Sequence, residues 1–96
     1  MDKSSFLRRM DEQWGRSVEL RPERDGRIVY AYFRDWKKRF YGYANDPDSD
    51  KERMEEKARR KLYEEAWSFF TSLKKNEKVL GKEPLSDLRR FMSMLG

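Results

Sequence analysis

Apolar side chains recur at helical spacing in separate segments of the chain, so that each series falls on one side of a helix. Near the start, Leu7, Met10 and Trp14 predict a helix over about residues 5–14. A longer series predicts a helix over about residues 50–76, with an apolar face of Ala58, Leu62, Ala66, Phe69, Phe70 and Leu73. A short last helix is predicted to begin at Ser86, with a face of Leu85, Leu88, Phe91 or Met92, and Leu95.

The polar segment NDPDSD precedes the long helix and is expected to cap it. Ser49 and Glu52 have the spacing of a capping box, and Asp48 and Asp50 suit the positive end of the helix dipole. Gly81 and Pro84 are residues that commonly end helices. We therefore expect the long helix to stop before them and the last helix to begin after them.

The segment 27–44 fits two different structures. As a helix, it places one apolar stripe on a single side, made of Val29, Phe33, Trp36, Phe40 and Tyr43. As strands, VEL and RIVYAYF would flank RPERDG in a hairpin, with KRFYGY returning as a third strand. The second turn of that meander would contain no Gly, Pro or Asn, because it falls on residues 34–37. For this reason the pattern favours the helix, and the stripe predicts that all its members, Tyr43 included, are core residues.

These elements predict a single small domain over residues 1–96. The favoured fold class is mainly α, a small bundle of about four helices. The alternative is an α+β fold, with a β-hairpin or meander over residues 17–44 followed by the long helix. The two folds differ only in how the aromatic segment is built.

Composition removes most kinds of catalytic and metal chemistry. The chain has no Cys and no His, which excludes thiolate sites, the usual zinc sites and Ser-His-Asp catalysis. Asp46, Asp48 and Asp50 resemble the start of a calcium loop, but Lys51 and Lys57 stand where that loop needs Gly and Glu. We therefore expect a protein that is not an enzyme, with no catalytic residues, no cofactor and no metal site.

Charge points toward an anionic partner. The net charge is +5, and residues 25–44 carry five positive and two negative side chains. A basic surface attracts nucleic acid or an acidic protein surface. The N-terminal residues lack the apolar run of a signal peptide, and the longest apolar run, residues 28–33, is too short to span a bilayer. We therefore expect a cytoplasmic protein with no membrane partner.

A basic and aromatic face is the main candidate site. On a helical wheel, the residues opposite the apolar stripe are Arg27, Tyr30, Arg34, Lys38 and Tyr41, and Lys37 and Arg39 flank them. Cations neutralise phosphates and flat rings stack on bases, so this face predicts nucleic-acid binding. Specificity should be low, because the segment has no Asn or Gln to read adenine. A sheet carrying the same residues would serve the same purpose.

The alternative function is a protein-interaction module, such as a small regulator or inhibitor of a larger protein machine. It would use the same face against an acidic partner, or a second surface made of Trp67, Met92 and Met94. Trp and Met are enriched at protein interfaces, which is the basis of this alternative. No small-molecule substrate is evident in either interpretation.

Overall fold

The computed structural model describes residues 1–36 and 40–96. In chain order, helix α1 spans Lys3–Trp14, strands β1, β2 and β3 span Val18–Glu23, Ile28–Phe33 and Gly42–Ala44, helix α2 spans Lys51–Lys75, and helix α3 spans Lys82–Leu95. Short 3-10 turns lie at Gly15–Ser17, Arg34–Trp36 and Glu77–Val79. The fold is therefore a mixed α+β arrangement, as the alternative predicts, and the four-helix bundle is wrong.

The strands form an antiparallel meander in the order β1-β2-β3. The turn between β1 and β2 contains Arg24 and Asp25, both with positive φ, followed by Gly26 with φ of 82°. The Gly26 amide donates to the Glu23 carbonyl at 3.1 Å, which closes a tight turn of the type that suits the twist of a hairpin. Pro22 is tolerated because β1 is an edge strand, where a missing amide donor costs little.

Strand β2 shows why the helix prediction for residues 27–44 fails. Its side chains alternate strictly, with Val29, Ala31 and Phe33 buried and the residues between them partly exposed. The β-branched and aromatic residues of this strand favour extended backbone. The connection after it begins with a 3-10 turn, Arg34–Trp36, which contains no Gly, Pro or Asn. The stripe residues Phe33, Trp36 and Phe40 are buried as expected, but Tyr43 is 41% exposed.

Helix α2 packs on the inner face of the sheet, chiefly against β2 and β3. The predicted face of this helix is confirmed, since Ala58, Leu62, Ala66, Phe70 and Leu73 are all buried and Phe69 packs against the same core. The predicted capping box is wrong in detail. Asp50 caps the helix by accepting from the Arg53 amide at 2.9 Å, while the Ser49 hydroxyl donates to Asp46 at 2.7 Å.

The two terminal helices complete the core. Helix α1 packs against α2 and α3, and the Tyr63 hydroxyl of α2 donates to the Asp11 carboxylate of α1 at 2.7 Å. Burial and this hydrogen bond raise the pKa of Tyr63 to about 12. Helix α3 begins at Lys82, earlier than predicted, because Gly81 acts as its N-cap and Pro84 fits within its first turn.

An aromatic cluster forms the centre of the molecule. The Trp36 ring lies 4.7 Å from the Phe91 ring, 5.2 Å from that of Trp14 and 5.3 Å from that of Phe40, measured between centroids. The Arg90 guanidinium sits over the same indole, 4.4 Å from its centroid. Within the described parts of the chain, no helix is both long enough and apolar enough to cross a membrane.

Candidate functional site

The outer face of the sheet carries most of the tyrosines of the protein. Because residues directly opposite in an antiparallel pair lie on the same side of a sheet, the register places Arg21, Tyr30 and Tyr43 side by side across it. The Tyr30 ring lies 5.4 Å from the Tyr43 ring and 5.7 Å from the Tyr41 ring. Tyr32 lies on the same side of β2 as Tyr30. We call this set of side chains, Tyr30, Tyr32, Tyr41 and Tyr43, the tyrosine face.

The tyrosine face results from a repeated local sequence. YAY at residues 30–32 and YGY at residues 41–43 each place one small residue between two tyrosines. Ala31 and Gly42 are opposite each other in the ladder and are both buried under α2. Since successive side chains of a strand point to opposite faces, two small inward residues oblige the flanking tyrosines to point outward. The close approach of α2 on one side therefore sets the chemistry of the other.

The tyrosine face remains open to solvent. Tyr41 is 55% exposed and Tyr43 is 41% exposed, while Tyr30 and Tyr32 are partly exposed. An open groove of about 610 Å³ crosses this side of the sheet and is lined by Arg21, Glu23, Arg24, Ile28, Tyr30, Tyr32 and Tyr41. Tyrosine suits such a position, because its ring supplies flat apolar area and its hydroxyl stays hydrated.

The arginines in and near the groove differ in whether they form an ion pair. Arg21 donates to the Glu23 carboxylate at 2.7 Å, and this contact raises the pKa of Arg21. Arg34 donates to Glu19 at 2.8 Å at the opposite end of β1. By contrast, Arg24 and Arg27 at the hairpin turn are exposed and have no ion pair within residues 1–36 and 40–96. Two cations at the hairpin end are thus available to an incoming anion.

The structure brings together some of the predicted site residues and separates others. Tyr30 and Tyr41 are in contact, Arg27 lies at the hairpin end of the face, and Arg34 lies at the other end in an ion pair. Lys37, Lys38 and Arg39 lie outside the described residues. Sequence reasoning missed Tyr32, Tyr43, Arg21 and Arg24, although the period-two spacing of YAY and YGY carried the signal for the tyrosines.

The second predicted surface is largely part of the core. Trp67 is partly buried, with its ring 5.1 Å from that of Phe6. Met94 is 7% exposed, so of this set only Met92, at 45%, presents a large exposed area. Two of the three predicted residues therefore contribute to the core, and one offers the exposed apolar area that a protein interface would use.

The acidic segment before α2 is held by contacts within the chain. The Asp46 carboxylate accepts from the Asp48 amide and the Ser49 hydroxyl and pairs with the Lys57 ammonium. The hydrogen bond from Lys57, with those from Ser49 and Asp48, lowers the pKa of Asp46 well below its usual value. This segment is therefore explained as a structural turn that leads into the helix.

Comparison of the chain with protein-family models, with curated proteins and with solved structures found no match.

Proposed function

We propose that the protein binds nucleic acid through the tyrosine face and the arginines beside it, without enzymatic activity. The observation that carries the proposal is the grouping of Tyr30, Tyr32, Tyr41 and Tyr43 on an open sheet surface, with Arg24 and Arg27 at its end. Flat rings on an exposed sheet are a common platform for bases, and unpaired arginines suit phosphates.

Binding would begin with electrostatic attraction to the phosphate backbone and continue with stacking on the rings. Stacking on an aromatic side chain is worth about 1–3 kcal/mol per base and depends little on which base is stacked. The strands of the sheet contain no Asn or Gln, the side chains that read adenine most directly, but Asn45, which follows β3, lies with Arg24 and Arg27 at the hairpin end. Sequence specificity is therefore expected to be low, with arginine contacts to guanine and an Asn45 contact to adenine as its main sources.

The test is fluorescence anisotropy of labelled oligonucleotides at increasing salt, comparing the wild type with a variant that lacks both hairpin cations. Arg24→Asn with Arg27→Ala is the suitable double substitution, because Asn tolerates the positive φ of residue 24. Affinity should fall, and the slope of log affinity against log salt should flatten by between about 1 and 2.

Lys75→Ala with Lys78→Ala is the matched control, since it removes the same charge from exposed positions beyond the sheet. Equal loss of binding in both double variants would reduce the effect to net charge and would remove the hairpin from the site. Absence of binding at low salt would reject the proposed function and would favour the protein-interaction alternative, for which a pull-down with the wild-type protein is the next step.

A further inference from the structure

A second groove continues the first around the edge of the sheet. It has a volume of about 460 Å³ and is lined by Phe40, Tyr41, Tyr43, Lys61 and Glu65. Tyr41 lines both grooves and is the most exposed residue of the tyrosine face. Because β3 is an edge strand, no further strand within residues 1–36 and 40–96 separates the two grooves. Together they form one path from the hairpin turn, across β2 and β3, to the exposed side of α2.

Each end of this path carries a cation beside a carboxylate, which is Glu23 in the first groove and Glu65 in the second. Arg24 lines the first groove at the hairpin turn, and the exposed Lys61 of α2 lines the second. The tyrosine rings lie between them. Cations at the ends and rings in the middle match a chain in which every nucleotide carries a charged phosphate and a flat base. Lys61 was not among the residues that the sequence singled out.

We propose that the ligand of this path is a single-stranded nucleic acid segment, whose unpaired bases stack on Tyr41 and Tyr43 and whose backbone reaches Lys61. The inference rests on the proposed function and narrows it to one ligand class. In a duplex the bases offer only their edges in the grooves, so their faces do not reach a ring on a flat sheet. A duplex therefore gains only the phosphate contacts, whereas an unpaired strand gains the stacking as well.

The tilted contacts among the rings also favour this ligand. The Tyr30 ring meets those of Tyr41 and Tyr43 at 60° and 54°, so the three rings pack against one another and not as parallel plates. Bases consequently stack on the outward faces of Tyr41 and Tyr43 and do not insert between the rings. Such stacking requires bases that are free of a complementary strand.

The experiment measures the affinity of the full chain for single-stranded DNA, single-stranded RNA and duplex DNA of equal length and mixed sequence, at one fixed salt concentration. At least one single strand should bind about tenfold or more tightly than the duplex, as expected from the loss of about one stacked base. Tyr41→Ala should weaken single-strand binding about tenfold and leave duplex binding almost unchanged. The DNA and RNA arms then identify which strand is preferred.

The role of Lys61 is tested by Lys61→Ala against Lys75→Ala, which removes the same charge from an exposed position on the same helix. The two positions are about 21 Å apart along the helix axis. Lys61→Ala should weaken single-strand binding several-fold more than Lys75→Ala does. Equal effects would show that the ligand does not reach α2.

Equal binding of single strands and duplex would overturn the inference while leaving the proposed function intact. No binding of any oligonucleotide would reject both.

Discussion

At the scale of single residues, Gly42 has the strictest requirement in the sheet. A Cβ at this position would lie 2.1 Å from the Ala58 carbonyl oxygen and 2.3 Å from the Leu62 amide nitrogen, both backbone atoms of α2. Backbone atoms inside a helix cannot move aside as a flexible side chain can. Glycine is therefore needed for the close approach of β3 to α2, which in turn holds Tyr41 and Tyr43 outward.

Gly42→Ala should destabilise the protein by about 3 kcal/mol, the upper part of the usual range for overpacking, because the strand must separate from the helix. The measurement is the free energy of unfolding from urea denaturation. Gly81→Ala is the control, since its Cβ would lie 3.9 Å from the nearest atom, in Pro84. The control should lose less than about 1 kcal/mol, the scale of an N-cap effect. Equal losses in the two variants would contradict the steric account.

At the scale of elements, the start of α2 depends on a small polar network. Asp50 caps the helix, and Asp46 holds the preceding turn through Ser49 and Lys57. The network orients the chain between the end of β3 and the long helix, and it uses the residues that a calcium loop would otherwise use. Its energetic contribution depends on the ionised form of Asp46, because the ammonium of Lys57 is its strongest partner.

Asp46→Asn should lower the melting temperature at neutral pH, because it removes the charge that pairs with Lys57. The pKa of Asp46 is lowered in the folded state, so its contribution is present above the ordinary value of 3.8 and is lost as the pH falls through the lower folded-state value. The difference in melting temperature between the wild type and Asp46→Asn should consequently become smaller as the pH is lowered from 7 to about 2.

Asp48→Asn is the control for this pH series, since Asp48 is exposed in the same turn and its contact with the network among the described residues is through its backbone amide. The melting temperature of Asp48→Asn should stay close to that of the wild type across the series. If the melting temperatures of the wild type and Asp46→Asn differ by the same amount at every pH, the carboxylate charge of Asp46 does not contribute to stability.

At the scale of the whole molecule, aromatic side chains are sorted by type between core and surface. Every Phe and Trp belongs to the core or packs against it, whereas four of the five tyrosines lie on the open face of the sheet. Phenylalanine gains most from full burial, and tyrosine tolerates a position that is wet at one end. A single short segment thus supplies both the centre of the core and the candidate site.

Trp36→Ala should destabilise the protein by about 3–5 kcal/mol, as expected for removing a large aromatic side chain that is 4% exposed. Tyr41→Ala is the comparison, because its ring is 55% exposed and should contribute less than about 1 kcal/mol. Urea denaturation of both variants measures the difference. Similar stabilities would show that the division into core and surface is wrong.

Much of the helical structure could be predicted because it depends on local sequence. The bounds of α1 and α2 agree closely with the predicted ranges, since helical periodicity and turn residues lie within the segments themselves. The start of α3 was predicted too late, because Pro84 was interpreted as a residue that ends a helix when it stands in the first turn of one. A proline is compatible with the end of one helix and with the first turn of the next, and the packing of α3 against α1 and α2 favours the second arrangement here.

The candidate site could be predicted only in part. Tyr30, Tyr41 and Arg27 were identified from their residue types, but the helical wheel gave them neighbours that they do not have. Tyr43 was assigned to the core because Val29, Phe33, Trp36 and Phe40 share with it a spacing that fits a helix. The spacing of the first four is compatible with both structures. Two other residues distinguish them: Tyr43 belongs to the helical stripe but is exposed, and Ala31 lies opposite that stripe but is buried.

The sequence by itself determined the helices, the absence of Cys and His chemistry, and the aromatic and basic character of the central segment. Tertiary structure decided that this segment is a sheet, and it decided which rings face solvent. The physical reason is that Ala31 and Gly42 become inward residues only when α2, far along the chain, lies against them. The local spacing of this segment fits both a helix and a strand, so only the contact with α2 selects the strand, and the open face of tyrosines is its consequence.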